Sequence, residues 1–225
     1  MLPKPPDGFQ DEPQAKSLLS RFVTGGKYEG LVGLPKRVDP AYAAKFVGDT
    51  LKADQLKDAQ LSRCGELMRF YDLHAQAPDV PKWLDRGEKD LPLFERSVSA
   101  VAILGDLGDD RLQEQAAQYY RYLTTHRLAD QSYGRLVDLF FHLPPAADPK
   151  WISEPIQARV KSLEPKIESD QDAAVVYYAL KDLLDDRLPT VLKAKQRRHA
   201  ILKNADPGRR RLELARCYLW LERNA

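Results

Sequence analysis

Three carboxylates stand close together in LGDLGDDRL, residues 104–112: Asp106, Asp109 and Asp110. The stretch returns 76 residues later as LKDLLDDRL, residues 180–188, identical at seven of nine positions. Such groups could hold a divalent cation through carboxylate oxygens, or divide the work of general acid and general base. Both chemistries need further groups converging on the same point, and no spacing in the sequence supplies them. A structural role needs nothing more. Leu104 and Leu107 close an apolar helix, Gly108 takes a left-handed C-terminal cap, and Asp109 or Asp110 caps the next helix, where negative charge suits the dipole. In the second copy Leu184 replaces Gly108, Asp185 and Asp186 keep the capping role, and Pro189 falls in the first turn of the following helix, where proline is tolerated. The repeated stretch is read as a joint between helices, used twice.

The remaining chemistry-bearing residues are dispersed. His74, His126, His142 and His199 show no three- or four-residue spacing to one another and no H-E-x-x-H pattern. The first three fall near helix C-termini, where positive charge is favoured, and His199 sits mid-helix beside a basic run. Cys64 and Cys217 form no C-x-x-C or Cys/His cluster and are expected to be buried free thiols, with a single disulfide as the alternative. Gly25 and Gly26 fail the phosphate-loop spacing, because Arg21 stands where the first glycine is required and Tyr28 follows Lys27. There is no G-x-S-x-G. Trp83 and Trp151 both follow Pro-Lys and are expected to pack in the core. No catalytic residue, metal site or cofactor is expected.

Charge is the more informative signal. The 225 residues carry a net charge of only +2, with 43% apolar and 30% charged side chains. From position 189 onward, ten Lys/Arg and three Asp/Glu give a net +7, which leaves −5 on the preceding body. The basic residues Lys193, Lys195, Arg197, Arg198, Lys203, Arg209, Arg210 and Arg211 form the candidate binding region. Arg209–Arg211 stand at the expected start of the last helix, where each works against the dipole by a few tenths of a kcal/mol. One reading makes this end a solvated face with salt bridges to Asp182, Asp185 and Asp186. The other makes it a patch for an acidic protein segment, nucleic acid or phospholipid surface. Because the body is acidic, a local contact is favoured over extended tracking of nucleic acid.

The elements that must position these residues are helical. No alternating strand of any length occurs, and apolar residues recur at three-to-four spacing from Asp39 onward. PQAKSLLSRFVTGG predicts a short helix from about Pro13 to the two glycines. DPAYAAKFVGDTL predicts a helix with Asp39 as N-cap and proline at its first position. Leu61, Cys64, Leu67, Met68 and Tyr71 mark one face of the next. Residues 1–38 are read as a Pro/Gly-rich lead-in with one short helix, and residues 39–225 as an α-helical repeat domain of about ten helices in all. The last helix, around Leu212, Leu214, Ala215, Tyr218, Leu219, Trp220 and Leu221, has little polar face, which suggests a partner, a self-association surface, or packing against the N-terminal segment. No apolar run approaches the ~20 residues of a membrane span. The N-terminal MLPKPPDGFQDEPQ lacks the apolar core of an export signal, so the cytoplasm is the default expectation, with export the alternative if a signal has been trimmed.

VPKWL, residues 80–84, returns as DPKWI, residues 148–152, at an offset of 68 rather than 76. LSRC and LARC, ending at Cys64 and Cys217, lie 153 residues apart, close to twice 76. A period near 76 equals two units of a length that fits helical hairpins in an α-solenoid. AVAILGDLGDDRLQEQ, residues 100–115, resembles a HEAT-type repeat, in which an apolar helix ends in L-G-x-L-G-D and the second helix starts at once. YYALKDLLDDRLPTVL is similar to it. AAQYYRYL is similar to the second helix of a tetratricopeptide unit, whose W-x-x-L-G-x-x-Y signature is absent. The resemblance implies an all-α chain of antiparallel hairpins stacked as a short α-solenoid, and a non-enzymatic scaffold or adaptor binding a protein partner. It leaves two alternatives: a nucleic-acid-binding HEAT-like protein using the basic end, and an α-helical toroid-type hydrolase or lyase.

Overall fold

The computed structural model describes residues 11–25, 38–52, 57–82, 94–125, 129–206 and seven positions between 209 and 221. These residues are all-α, with no strand among them. We number the helices α1 (Glu12–Gly25), α2 (Pro40–Leu51), α3 (Asp58–Tyr71), α4 (Phe94–Leu107), α5 (Asp110–Thr125), α6 (Ser132–Leu139), α7 (Lys150–Leu163), α8 (Gln171–Asp182) and α9 (Leu188–Leu202). Short 3₁₀ turns follow α3, α6 and α7. The described residues between 209 and 221 are helical as well.

The chain divides into two compact units, 1–113 and 114–225. That division falls inside the span read from sequence as one repeat domain. It also makes α1 a core element of the first unit: Ala15, Leu19, Phe22 and Val23 are buried, and α1 packs on α2 and α3. The expected Asp39 cap is present, its Oδ1 accepting from the Ala41 N–H at 2.7 Å ahead of Pro40. The α3–α4 contact is close because Gly65 has no side chain; a Cβ there would lie 2.7 Å from Ile103 Cγ1. Leu61, Leu67, Met68, Ile103 and Leu104 fill this core. In the second unit α6 packs on α7 and α9, and α7 packs on α8. Its core is built from Tyr120, Leu136, Phe140, Phe141, Ile152, Ile156 and Val191. Cys64 and Cys217 are both buried and free.

The two copies of the nine-residue stretch do opposite things, which corrects the reading of a joint used twice. At the first copy the helix ends. Gly108 N–H still donates to Leu104 O at 2.9 Å, then Asp109 Oδ1 accepts from Leu112 N–H at 2.9 Å and caps α5. The Gln113 side-chain amide returns to the Gly108 carbonyl at 2.9 Å. Gly108 is not in the left-handed conformation expected of a helix cap. Glycine is needed here for proximity: a Cβ would press on the Leu104 carbonyl and lie 2.6 Å from Leu112 Cβ.

At the second copy there is no end. The chain runs from α8 through a π turn, Leu183–Arg187, straight into α9, and the Leu188 N–H donates to Leu183 O five residues back. Two substitutions account for the difference. Leu184 puts a side chain where the close approach at Gly108 allows none. Pro189 has no N–H to donate to the carbonyl four residues earlier, and the wider turn relieves the clash its ring would make there. Asp185 and Asp186 therefore cap nothing and stand exposed.

Candidate functional site

The basic run of α9 is the candidate region, and the helix sorts it into two faces. Lys193 and Arg197 are exposed, as is Lys203 just past the end of α9. Lys195 and Arg198, one turn apart, face inward and are 5% and 2% exposed. Two of the eight predicted contact residues are thus parts of the core. Arg209 is exposed and paired with Glu213 at 2.8 Å, and its N–H donates to Asp206 Oδ1 at 3.2 Å. Arg210 and Arg211 lie outside the described residues, as do Trp83 and His126.

The inward pair sits over the end of α6. Lys195 Nζ is 4.0 Å from the Phe140 ring centroid. Arg198 Cζ is 5.6 Å from the Phe141 centroid, and its Nη1 lies 3.5 Å from the Phe141 carbonyl. Phe140 meets Tyr120 edge-on at 5.6 Å, and the Tyr120 hydroxyl donates to the Leu136 carbonyl at 2.9 Å. The rings present their negative faces to the two cations, which replaces part of the hydration that burial removes. The replacement is incomplete. Burial, with the neighbouring Arg198 charge, pulls the Lys195 amine down to about 8. Burial likewise pushes the Cys217 thiol up, against the opposing pull of Arg197 and Arg198. Sequence spacing contained this split, since positions 191, 194/195, 198 and 201 share a helical face. Two charges on that face hid it.

The outward residues have different surroundings. Lys193 stacks its ammonium 5.8 Å from the Trp220 centroid. None of Lys193, Arg197, Lys203, Asp182, Asp185 and Asp186 has an ion-pair partner among the described residues. Among the described residues, the salt bridges expected between the basic end and these aspartates are not formed. Asp138 is held by Arg187 from the π turn at 2.6 Å.

The other candidate residues are engaged singly. Asp106 is buried and faces Arg69 at 3.8 Å, while Asp109 caps α5, so the two carboxylates have separate roles. His74 places Nε2 2.7 Å from Asp72 and Nδ1 3.0 Å from the Leu107 carbonyl. Asp72 itself takes the left-handed conformation, φ 58°, at the C-terminus of α3. His142 stacks edge-on with Phe141. Trp151 is half-buried under Arg121, 5.9 Å from its ring centroid. Among the described residues no three His, Cys, Asp or Glu side chains converge as a metal site, and no described helix is long and apolar enough to cross a membrane. No family model matches the sequence, and no curated protein or solved structure is significantly similar to it.

Proposed function

We propose that the chain is a non-enzymatic scaffold or adaptor that binds a protein partner through a helical-repeat surface. Lys193, Arg197 and Lys203 are its contact for an acidic segment. The observation that supports this reading is that these three cations are exposed along α9 and just past its end, and none is neutralised by an ion pair within the described chain. Exposed charge without an internal partner is free to steer and orient an incoming surface of opposite sign. The HEAT-like arrangement belongs to the same proposal, and the helix break at Gly108–Asp109 favours it. Lys195 and Arg198 have no part in the contact, because both are buried.

The test compares capture from a lysate by the wild type and by Lys193→Glu/Arg197→Glu/Lys203→Glu, with circular dichroism as the check on folding. A protein held by the wild type and lost by the folded triple variant is the expected result. Capture that survives the charge reversal would move the contact elsewhere. Capture abolished by nuclease would replace the protein partner with nucleic acid.

A further inference from the structure

The continuous helix from α8 into α9 has two longitudinal faces. Ala173, Leu180, Leu188, Val191, Arg198 and Ile201 mark the buried one. The opposite face changes sign along its length. Before Pro189 it exposes Asp182, Asp185 and Asp186, with Lys181 exposed beside Asp182; after Pro189 it exposes Lys193, Arg197 and Lys203. The acidic half also carries Val175 and Tyr178, which at 63% and 64% exposure are the large apolar side chains left in solvent among the described residues. Tyr178 is braced edge-on by Tyr177 at a centroid distance of 5.3 Å, so it presents a fixed surface. Small exposed residues, Pro189 and Ala200, leave room along the basic half.

A helix face that is acidic and apolar at one end and basic at the other is complementary to itself when reversed. A two-fold axis passing near Pro189 relates positions equally spaced on either side of it. That operation sets Asp185 and Asp186 opposite Lys193 of the second copy and Asp182 opposite its Arg197. It sets Tyr178 against its Ala200 and Val175 against the aliphatic stem of its Lys203. Asp182, Asp185 and Asp186 meet cations, Lys193 and Arg197 meet anions, Lys181 is the exposed charge of this face that meets like charge, and the exposed apolar side chains meet small residues or methylenes. A parallel pairing would instead stack like charge on like charge.

We propose that a second copy of this chain docks antiparallel along the outward face of α8 and α9, with Pro189 at the two-fold axis. This rests on the reading of the α9 basic face as a protein-binding surface and names its partner. An isologous contact of this kind closes on itself and gives a dimer rather than a fibre. One helix face per subunit is a small interface, and its charged pairs are rim-exposed, so the dimer is weak and weakens further as salt rises.

Sedimentation equilibrium of the full chain tests this. The wild type is expected to dimerise at low salt and to dissociate as salt is added. Asp182→Lys/Asp185→Lys/Asp186→Lys makes the whole face basic, and Lys193→Glu/Arg197→Glu/Lys203→Glu makes it acidic. Each alone is expected to lose at least about tenfold in self-affinity, and an equimolar mixture of the two to associate again. Tyr178→Ser, which leaves every charge in place, is expected to weaken the dimer with unchanged helix content. For orientation, Val175→Cys and Lys203→Cys are expected to cross-link to each other on mixing and neither to itself. A wild type that stays monomeric at its highest soluble concentration overturns the self-pairing, and leaves the wider protein-binding reading to the lysate experiment. A dimer indifferent to both charge reversals, or a mixture that does not associate, overturns it equally.

Discussion

Lys195 Nζ lies 4.0 Å from the centroid of the Phe140 ring, inside the second unit and 5% exposed. The ring face compensates only part of what the ammonium loses on leaving water. Its value in the folded chain, about 8, lies below the ordinary 10.5 it keeps when unfolded. Between those two values the unfolded chain binds more protons, so Lys195 makes folding more favourable as pH rises from about 8 to about 10.5. Below that window both states are charged, and the folded chain carries the full cost. Lys195→Met keeps the apolar stem on Phe140 and removes the charge. At neutral pH it is expected to be more stable than the wild type by roughly 1–3 kcal/mol, and the gap is expected to close as pH rises through the window. Urea melts of both proteins across that range check it; a variant less stable at neutral pH would make the cation–ring contact the larger effect.

Gly108 and Leu184 occupy the same place in the two copies of one motif, and their exchange is expected to be asymmetric. Gly108→Ala forces a methyl group against the Leu104 carbonyl and Leu112, and is expected to cost about 1–3 kcal/mol. Leu184→Gly only loosens a helix that is already continuous, and is expected to cost about 1 kcal/mol with the helix content retained. Thermal melts followed by far-ultraviolet circular dichroism separate the two.

Tyr120 is fully buried, and its hydroxyl is the donor to the Leu136 carbonyl at 2.9 Å. Tyr120→Phe preserves the edge-on contact with Phe140 and removes the side-chain donor, leaving the Leu136 carbonyl with the Phe140 N–H at the helix end. A loss of about 1–2 kcal/mol is expected in chemical denaturation. A neutral substitution would mean that the Phe140 N–H alone satisfies the Leu136 carbonyl.

Asp170 begins the long helix, its Oδ1 accepting from the N–H groups of Asp172 and Ala173 at 3.0 and 3.1 Å. Asp170→Ala is expected to cost about 1 kcal/mol and to speed hydrogen exchange in the first turn of α8 while leaving α9 protected. Faster exchange throughout α9 as well would show that the helix opens as one body across the π turn.

The all-α class was legible because apolar residues recur at helical spacing and no alternating run competes. Asp39–Pro40 marked the start of α2 through local chemistry alone, and the structure has that start; Gly26, the second of the glycines expected to stop α1, lies outside the described residues. The second copy of the repeated stretch was misread for a specific reason. Its shared aspartates are cap residues in one setting and ordinary exposed side chains in the other. The two positions that differ, Gly108 against Leu184 and Gln113 against Pro189, decide between break and continuity. The basic residues of the candidate region were read as one patch, whereas α9 turns two of them inward. Charge on Lys195 and Arg198 outweighed their place on the apolar face, and only the nearness of Phe140 and Phe141, distant in sequence, explains how that face tolerates them.

The π turn at 183–187 holds one residue more than an α-helical path of the same rise would need. Deleting that extra residue would leave an α-helical path of the same rise, with α9 still turned toward Phe140 and Phe141. Forcing all the residues of the turn into α-helical geometry would instead swing α9 by about 100° about its axis and take Lys195 and Arg198 off their rings. The wide turn thus absorbs one residue that the packing of α9 does not need. In any set of related chains, a one-residue gap there would go with an unbroken α-helix and the same packing of α9.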